Sequence, residues 1–126
     1  MALSYRDATI NSVEANPTGS GSTGGGRDES GKVYFFPNIS VSIGYWFDNE
    51  GIPNSDWNTH FTAKLFVNDS PIETKQVLSG GGPQTYSFFA YKFPAPGTYK
   101  VEVRGKNSKS LEVTIKNPPV QEKKAA

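Results

Sequence analysis

Apolar and polar residues alternate along much of this chain with a period of two. Ile39, Val41, Ile43, Tyr45 and Phe47 alternate with Ser40, Ser42, Gly44 and Trp46, so one set is predicted to face a core. Phe61, Ala63, Leu65 and Val67 repeat the pattern against Thr62, Lys64 and Phe66. Further along, Tyr86, Phe88 and Ala90 are read as the inward set against Ser87, Phe89 and Tyr91. The same holds for Tyr99, Val101 and Val103, and then for Leu111, Val113 and Ile115. Weaker strands are predicted over 8–15, 32–36 and 72–78. No window carries an apolar period of 3.6, so no significant helix is expected.

Turn chemistry separates these runs. Asn68-Asp-Ser-Pro71 is a tight reversal, because Asn and Asp tolerate turn dihedrals. Pro94-Ala-Pro-Gly97 and Arg104-Gly-Lys-Asn-Ser108 close the later strands. Short strands with regular turn signals predict an all-β fold, an immunoglobulin-like antiparallel sandwich of about seven or eight strands. One domain is expected over 1–116, with a Gly/Ser-rich loop at 17–31 and a polar tail at 117–126.

Composition sharpens this. The 126 residues include 8 Phe, 6 Tyr, 2 Trp, 13 Gly and 9 Pro, which suits strands and turns. Lys plus Arg is 13 against 12 acidic residues, so charge gives no reason to expect nucleic acid. With no cysteine, disulfides and thiolate metal sites are excluded. No apolar run is long enough for a membrane-spanning helix, and no signal peptide is visible after Met1. If Met1 is the natural start, synthesis and release in the cytoplasm are expected.

Two glycine motifs lack their context. Gly19-x-Gly21-x-x-Gly24 has the dinucleotide spacing but no helix follows it. Gly26-x-x-x-x-Gly31-Lys32 lacks the Ser or Thr of a phosphate loop, since Val33 stands there. The single histidine, His60, has no nucleophile tied to it by any motif, so no enzymatic activity is expected.

Three kinds of site residue remain. Trp46, Phe66 and Phe89 fall on the polar phase of their strands and are interface candidates, against internal cover by a loop or terminus. Asp48, Glu50 and Asp56, with Asn54, supply oxygens suited to calcium, although Asn and Asp also serve turns. Trp57 is a candidate contact for a sugar ring.

The run Val41-Ser-Ile-Gly-Tyr-Trp-Phe-Asp-Asn-Glu-Gly51 resembles a strand of the bacterial cell-adhesion-related (CARDB) domain. Phe61-Thr-Ala-Lys-Leu-Phe-Val-Asn-Asp69, Pro96-Gly-Thr-Tyr-Lys-Val-Glu-Val103 and Ala8-Thr-Ile-Asn-Ser-Val13 are similar to others, in the same order. The Gly-rich insert is longer than that family's pattern. The resemblance implies a sandwich found in surface, adhesion and accessory proteins, without catalytic residues to carry over.

Two expectations follow. The first is a structural protein docking on a larger protein assembly, a virion capsid decoration or accessory subunit at the virion surface. The second is an adhesion or carbohydrate-binding module of a secreted, cell-surface protein. A homo-oligomer fits either; membrane insertion fits neither.

Overall fold

The structure, a computed structural model, describes residues 3–17 and 24–118. Over them run β1 (Ser4–Asp7), β2 (Ile10–Pro17), β3 (Gly25–Arg27), β4 (Val33–Phe35) and β5 (Ser40–Asp48). They are followed by β6 (Thr59–Val67), β7 (Ser70–Leu78), β8 (Gln84–Lys92), β9 (Gly97–Arg104) and β10 (Ser108–Ile115). The described residues form no helix, and the expected all-β sandwich is what they build.

The strands divide into two sheets. The larger runs β1-β6-β9-β10-β4-β3, with β7 also paired to β6, and the smaller runs β2-β5-β8. Because β7 covers β6 from His60 to Val67, β1 and β9 share the other edge of β6. Two pairings, β1 with β6 and β10 with β4, are parallel, which corrects the purely antiparallel expectation. Both involve short strands that the chain lays down just before crossing to the smaller sheet.

That first crossing is tightly held. Ala8 donates its N–H to Thr62 O at 2.9 Å and accepts from Lys106 N at 2.8 Å. The side chain of Asn107 then clamps Ile10, accepting from its N–H at 2.7 Å and donating to its carbonyl at 2.9 Å. A turn between β9 and β10 thus pins the chain where it changes sheets.

Side chains from both sheets fill the space between them. Val41, Ile43, Tyr45 and Phe47 face Phe61, Ala63, Leu65, Val101 and Val103, all of them buried. Phe47 and Phe61 meet across the gap at 5.1 Å, and Tyr45 stacks on Phe89 at 5.4 Å. Full burial of each such ring is worth about 2–3 kcal/mol.

The predicted inward phase is realised in β5, β6, β9 and β10, although Ile39, before β5, is exposed. It is reversed in β8. Ser87 and Phe89 are buried while Tyr86 and Phe88 face solvent, so Phe89 is a core residue rather than an outward one. Both phases of this strand carry aromatics, so alternation alone is ambiguous. Pairing decides it: Ile43 lies opposite Phe89, and residues directly opposite share a face.

Within the Gly-rich stretch, residues 18–23 lie outside the described residues, as does 119–126 of the tail. The later part of the stretch is ordered as β3 paired with β4, and Asp28 accepts from Ser30 N and Lys32 N at 2.9 Å each to close their hairpin. The reversal at Asn68-Asp69 has φ of 49° and 66°, both left-handed, which is the two-residue hairpin geometry that matches sheet twist.

Candidate functional site

The outer face of the smaller sheet is built by register. Trp46 lies between Ser12 on β2 and Tyr86 on β8, and Gly44 lies between Glu14 and Phe88. Ser42 lies between Asn16 and Ala90. Trp46 and Tyr86 therefore stand side by side, with ring centroids 5.1 Å apart. Tyr86 lies across Gly44, where an added Cβ would come 2.0 Å from its hydroxyl oxygen. A glycine thus makes room for the aromatic cluster. Tyr86 and Phe88 are 38% and 45% exposed, and Trp46 is half-buried beside them.

One cation belongs to this cluster. Lys75 reaches from β7 to place its ammonium 4.7 Å from the centroid of Phe88 and donates to the Phe88 carbonyl. A cation over an aromatic face contributes about 0.5–1 kcal/mol at exposed sites.

Phe66 belongs to a different surface. On the outer face of the larger sheet, the Arg104 guanidinium lies 3.8 Å from its ring centroid and covers it. Arg104 also donates to Glu102 at 2.8 Å and lies 3.4 Å from Asp69, which in turn meets Lys100 at 3.6 Å. This face is a charged network, and Phe66 is its apolar floor.

The network fixes the ionisation of Glu102. Its hydrogen bond from Arg104, then one with Ser108, holds its carboxyl below the ordinary 4.5. Glu50 is held below the same value by Lys106 at 3.0 Å and Arg6 at 3.1 Å. A carboxyl with a depressed folded pKa adds stability above the unfolded value and loses it as pH falls through the folded one. The urea midpoint is therefore expected to be level near neutrality and to fall below pH 4.5. Glu102→Gln should lower the neutral-pH midpoint and shallow that acid slope, read by urea titrations at pH 7 and pH 3.

The acidic loop does not assemble a cation site. Asp48 accepts from Glu50 N at 2.8 Å, and Asp56 accepts from Asn58 N at 2.7 Å and Thr59 N at 2.8 Å. The Thr59 and Asn58 N–H groups hold the Asp56 carboxyl below its ordinary value. Glu50 is taken by Arg6 and Lys106. Among the described residues no three His, Cys, Asp or Glu side chains converge as metal ligands. At Asp48, Glu50 and Asp56, where calcium was expected, the carboxylates are engaged in turn capping and ion pairing.

Asn49, between two of those acids, is the organising residue. It is fully buried, donates from Nδ2 to Gly81 O at 2.7 Å and Gly82 O at 3.1 Å, and accepts from Thr85 Oγ1 at 2.6 Å. The β5–β6 loop is thereby tied to the β7–β8 loop. Trp57 projects from the former and is 72% exposed. His60 stacks on Tyr5 at 5.2 Å, with Nδ1 3.3 Å from Asn58 O.

Family models, curated proteins and solved structures were compared with the chain. None matches.

Of the predicted contact residues, the structure leaves Trp46 and Trp57 at the surface, on different elements. It adds Tyr86, Phe88 and Lys75, which alternation alone missed. The available signal for the two aromatics was Gly44, directly opposite Phe88 in the pairing and too small to fill the outer face.

Proposed function

We propose that this chain is a non-enzymatic docking domain that attaches to a larger protein assembly through the outer face of its smaller sheet. The observation that carries this reading is the Trp46–Tyr86–Phe88 cluster, placed on a sheet face that register would otherwise make polar. Exposed aromatic clusters with a charged rim are the usual anchors of protein interfaces. On the opposite outer face, by contrast, Arg104 covers the Phe66 ring and pairs with Glu102 and Asp69. His60 supports a non-catalytic reading, since its ring is stacked and its Nδ1 is turned to its own loop.

The assembly we propose is a virion shell, with the chain as a decoration or accessory subunit on an immunoglobulin-like, CARDB-like scaffold. Co-sedimentation of the purified chain with particles from its source tests this. Wild type is expected to pellet with the particles, and the double variant Trp46→Ser, Phe88→Ser to stay in the supernatant with its fold intact by circular dichroism. A double variant that pellets as wild type does would overturn the assignment of this face.

A second reading has one observation in its favour, the protruding ring of Trp57. Binding on a glycan array that Trp57→Ala abolishes would move the function to carbohydrate recognition at that loop.

A further inference from the structure

Among the described residues, β8 pairs only with β5, and no strand pairs with its outer edge. Asn49 N donates to Pro83 O at 3.2 Å, which makes that pair a hydrogen-bonded one. Antiparallel pairs alternate between bonded and non-bonded. Phe47–Thr85, Tyr45–Ser87, Ile43–Phe89 and Val41–Tyr91 are therefore the bonded pairs. The N–H and C=O groups of Tyr86, Phe88 and Ala90 then point away from β5, off the sheet. The donation from Lys75 to the Phe88 carbonyl agrees with this parity. The close Trp46–Tyr86 rings agree too, because non-bonded pairs bring side chains nearer.

The aromatic face alone is small. Three strands at about 4.8 Å spacing and nine residues of about 3.3 Å give roughly 400 Å². A stable protein partner covers about 800 Å² on each side. A strand added beside β8 would widen the same face by roughly 140 Å² and pair the outward backbone groups.

We propose that the partner docks by adding an extended strand to the outer edge of β8, and that this strand carries an acidic side chain to meet Lys75. This deepens the docking function proposed above and rests on it. Lys75 now occupies the one outward carbonyl at the centre of that edge, as lysines commonly do on strands that must not pair indiscriminately. An incoming strand must displace it. An acidic strand gives the ammonium a new partner, whereas a basic one leaves two cations beside an aromatic ring. Residues of the added strand on the phase of Tyr86 and Phe88 would be apolar, extending the cluster, and main-chain pairing would supply the remaining affinity.

Two synthetic peptides of alternating threonine and tyrosine test this, one with a central glutamate and one with a central lysine. The glutamate peptide is expected to slow hydrogen exchange at the Tyr86, Phe88 and Ala90 amides and to bind about tenfold tighter than the lysine peptide. Lys75→Met should remove the difference between the peptides. Ala90→Pro removes an outward N–H while leaving the β5 ladder intact, so it should abolish binding with little change in melting temperature. Equal affinity of the two peptides for wild type, or protection elsewhere, overturns the proposal. So does a stable dimer of Lys75→Met by light scattering that Ala90→Pro reverses, since the occupant would then be a second copy of this chain. Particle co-sedimentation separates this proposal from the docking function. If Ala90→Pro still pellets while Trp46→Ser, Phe88→Ser does not, face docking stands and strand addition falls. If both variants pellet, the docking reading itself falls.

Discussion

Replacing Asn49 by alanine is expected to lower the free energy of unfolding by about 3 kcal/mol, although the residue lies in a loop. The amide is fully buried and uses both ends. Its Nδ2 serves the carbonyls of Gly81 and Gly82, and its Oδ1 takes the Thr85 hydroxyl. Truncation leaves those groups short of partners, at about 1–3 kcal/mol for each one kept from water. Thr85 is engaged a second time, accepting from Gly80 N at 2.8 Å, so the disturbance spreads along the β7–β8 loop. For a domain of this size the melting temperature should drop by roughly 10 °C. Asn49→Asp separates hydrogen bonding from volume. It keeps the shape but turns a carboxylate towards two carbonyls, so at neutral pH it should cost at least as much as alanine. A change in urea midpoint equivalent to less than about 0.5 kcal/mol would show that the two loops hold without this node.

The contrast between Asn49 and its neighbours shows what a sequence exposes. β5, β6, β9 and β10 are legible because each has one apolar and one largely polar phase, so burial has a single solution. β8 is not, because Tyr86 and Phe88 compete with Phe89 and Tyr91, and only pairing with Ile43 and Gly44 chooses between them. β1 and β3 have four and three residues, too few for a period to emerge. Asp48, Glu50 and Asp56 look like cation ligands from composition, yet local N–H groups and two distant cations claim them. Asn49 carries no local mark of its role, since its partners lie 32 to 36 residues further on. The same is true of Lys75, whose carbonyl and ring belong to another sheet. Long-range pairing, rather than local pattern, decides the binding face.

Gly105→Ala is expected to be as damaging as many truncations in the core, at about 3 kcal/mol. Gly105 belongs to the Arg104-Gly-Lys-Asn turn, where a glycine commonly serves a left-handed φ. Its φ is not in that region. What requires glycine is the crossing chain: a Cβ here would lie 1.9 Å from the Ala8 carbonyl oxygen and 2.8 Å from its carbon. Both are backbone atoms, so no side chain can swing aside. Ala8 would have to withdraw, stretching its bonds to Thr62 O and from Lys106 N and drawing Ile10 away from the Asn107 clamp. At a position with room, Gly→Ala stabilises by about 0.4–1 kcal/mol through the unfolded chain, so the sign of the effect is itself diagnostic. Gly44 supplies the comparison. The three atoms nearest its added Cβ all belong to the end of the Tyr86 side chain, the hydroxyl oxygen at 2.0 Å, and that ring can rotate outward. Gly44→Ala should therefore cost under about 1 kcal/mol and disturb the aromatic face instead. Thermal unfolding of the two variants side by side checks the pair: equal costs would mean that the chain crossing yields as easily as a tyrosine ring.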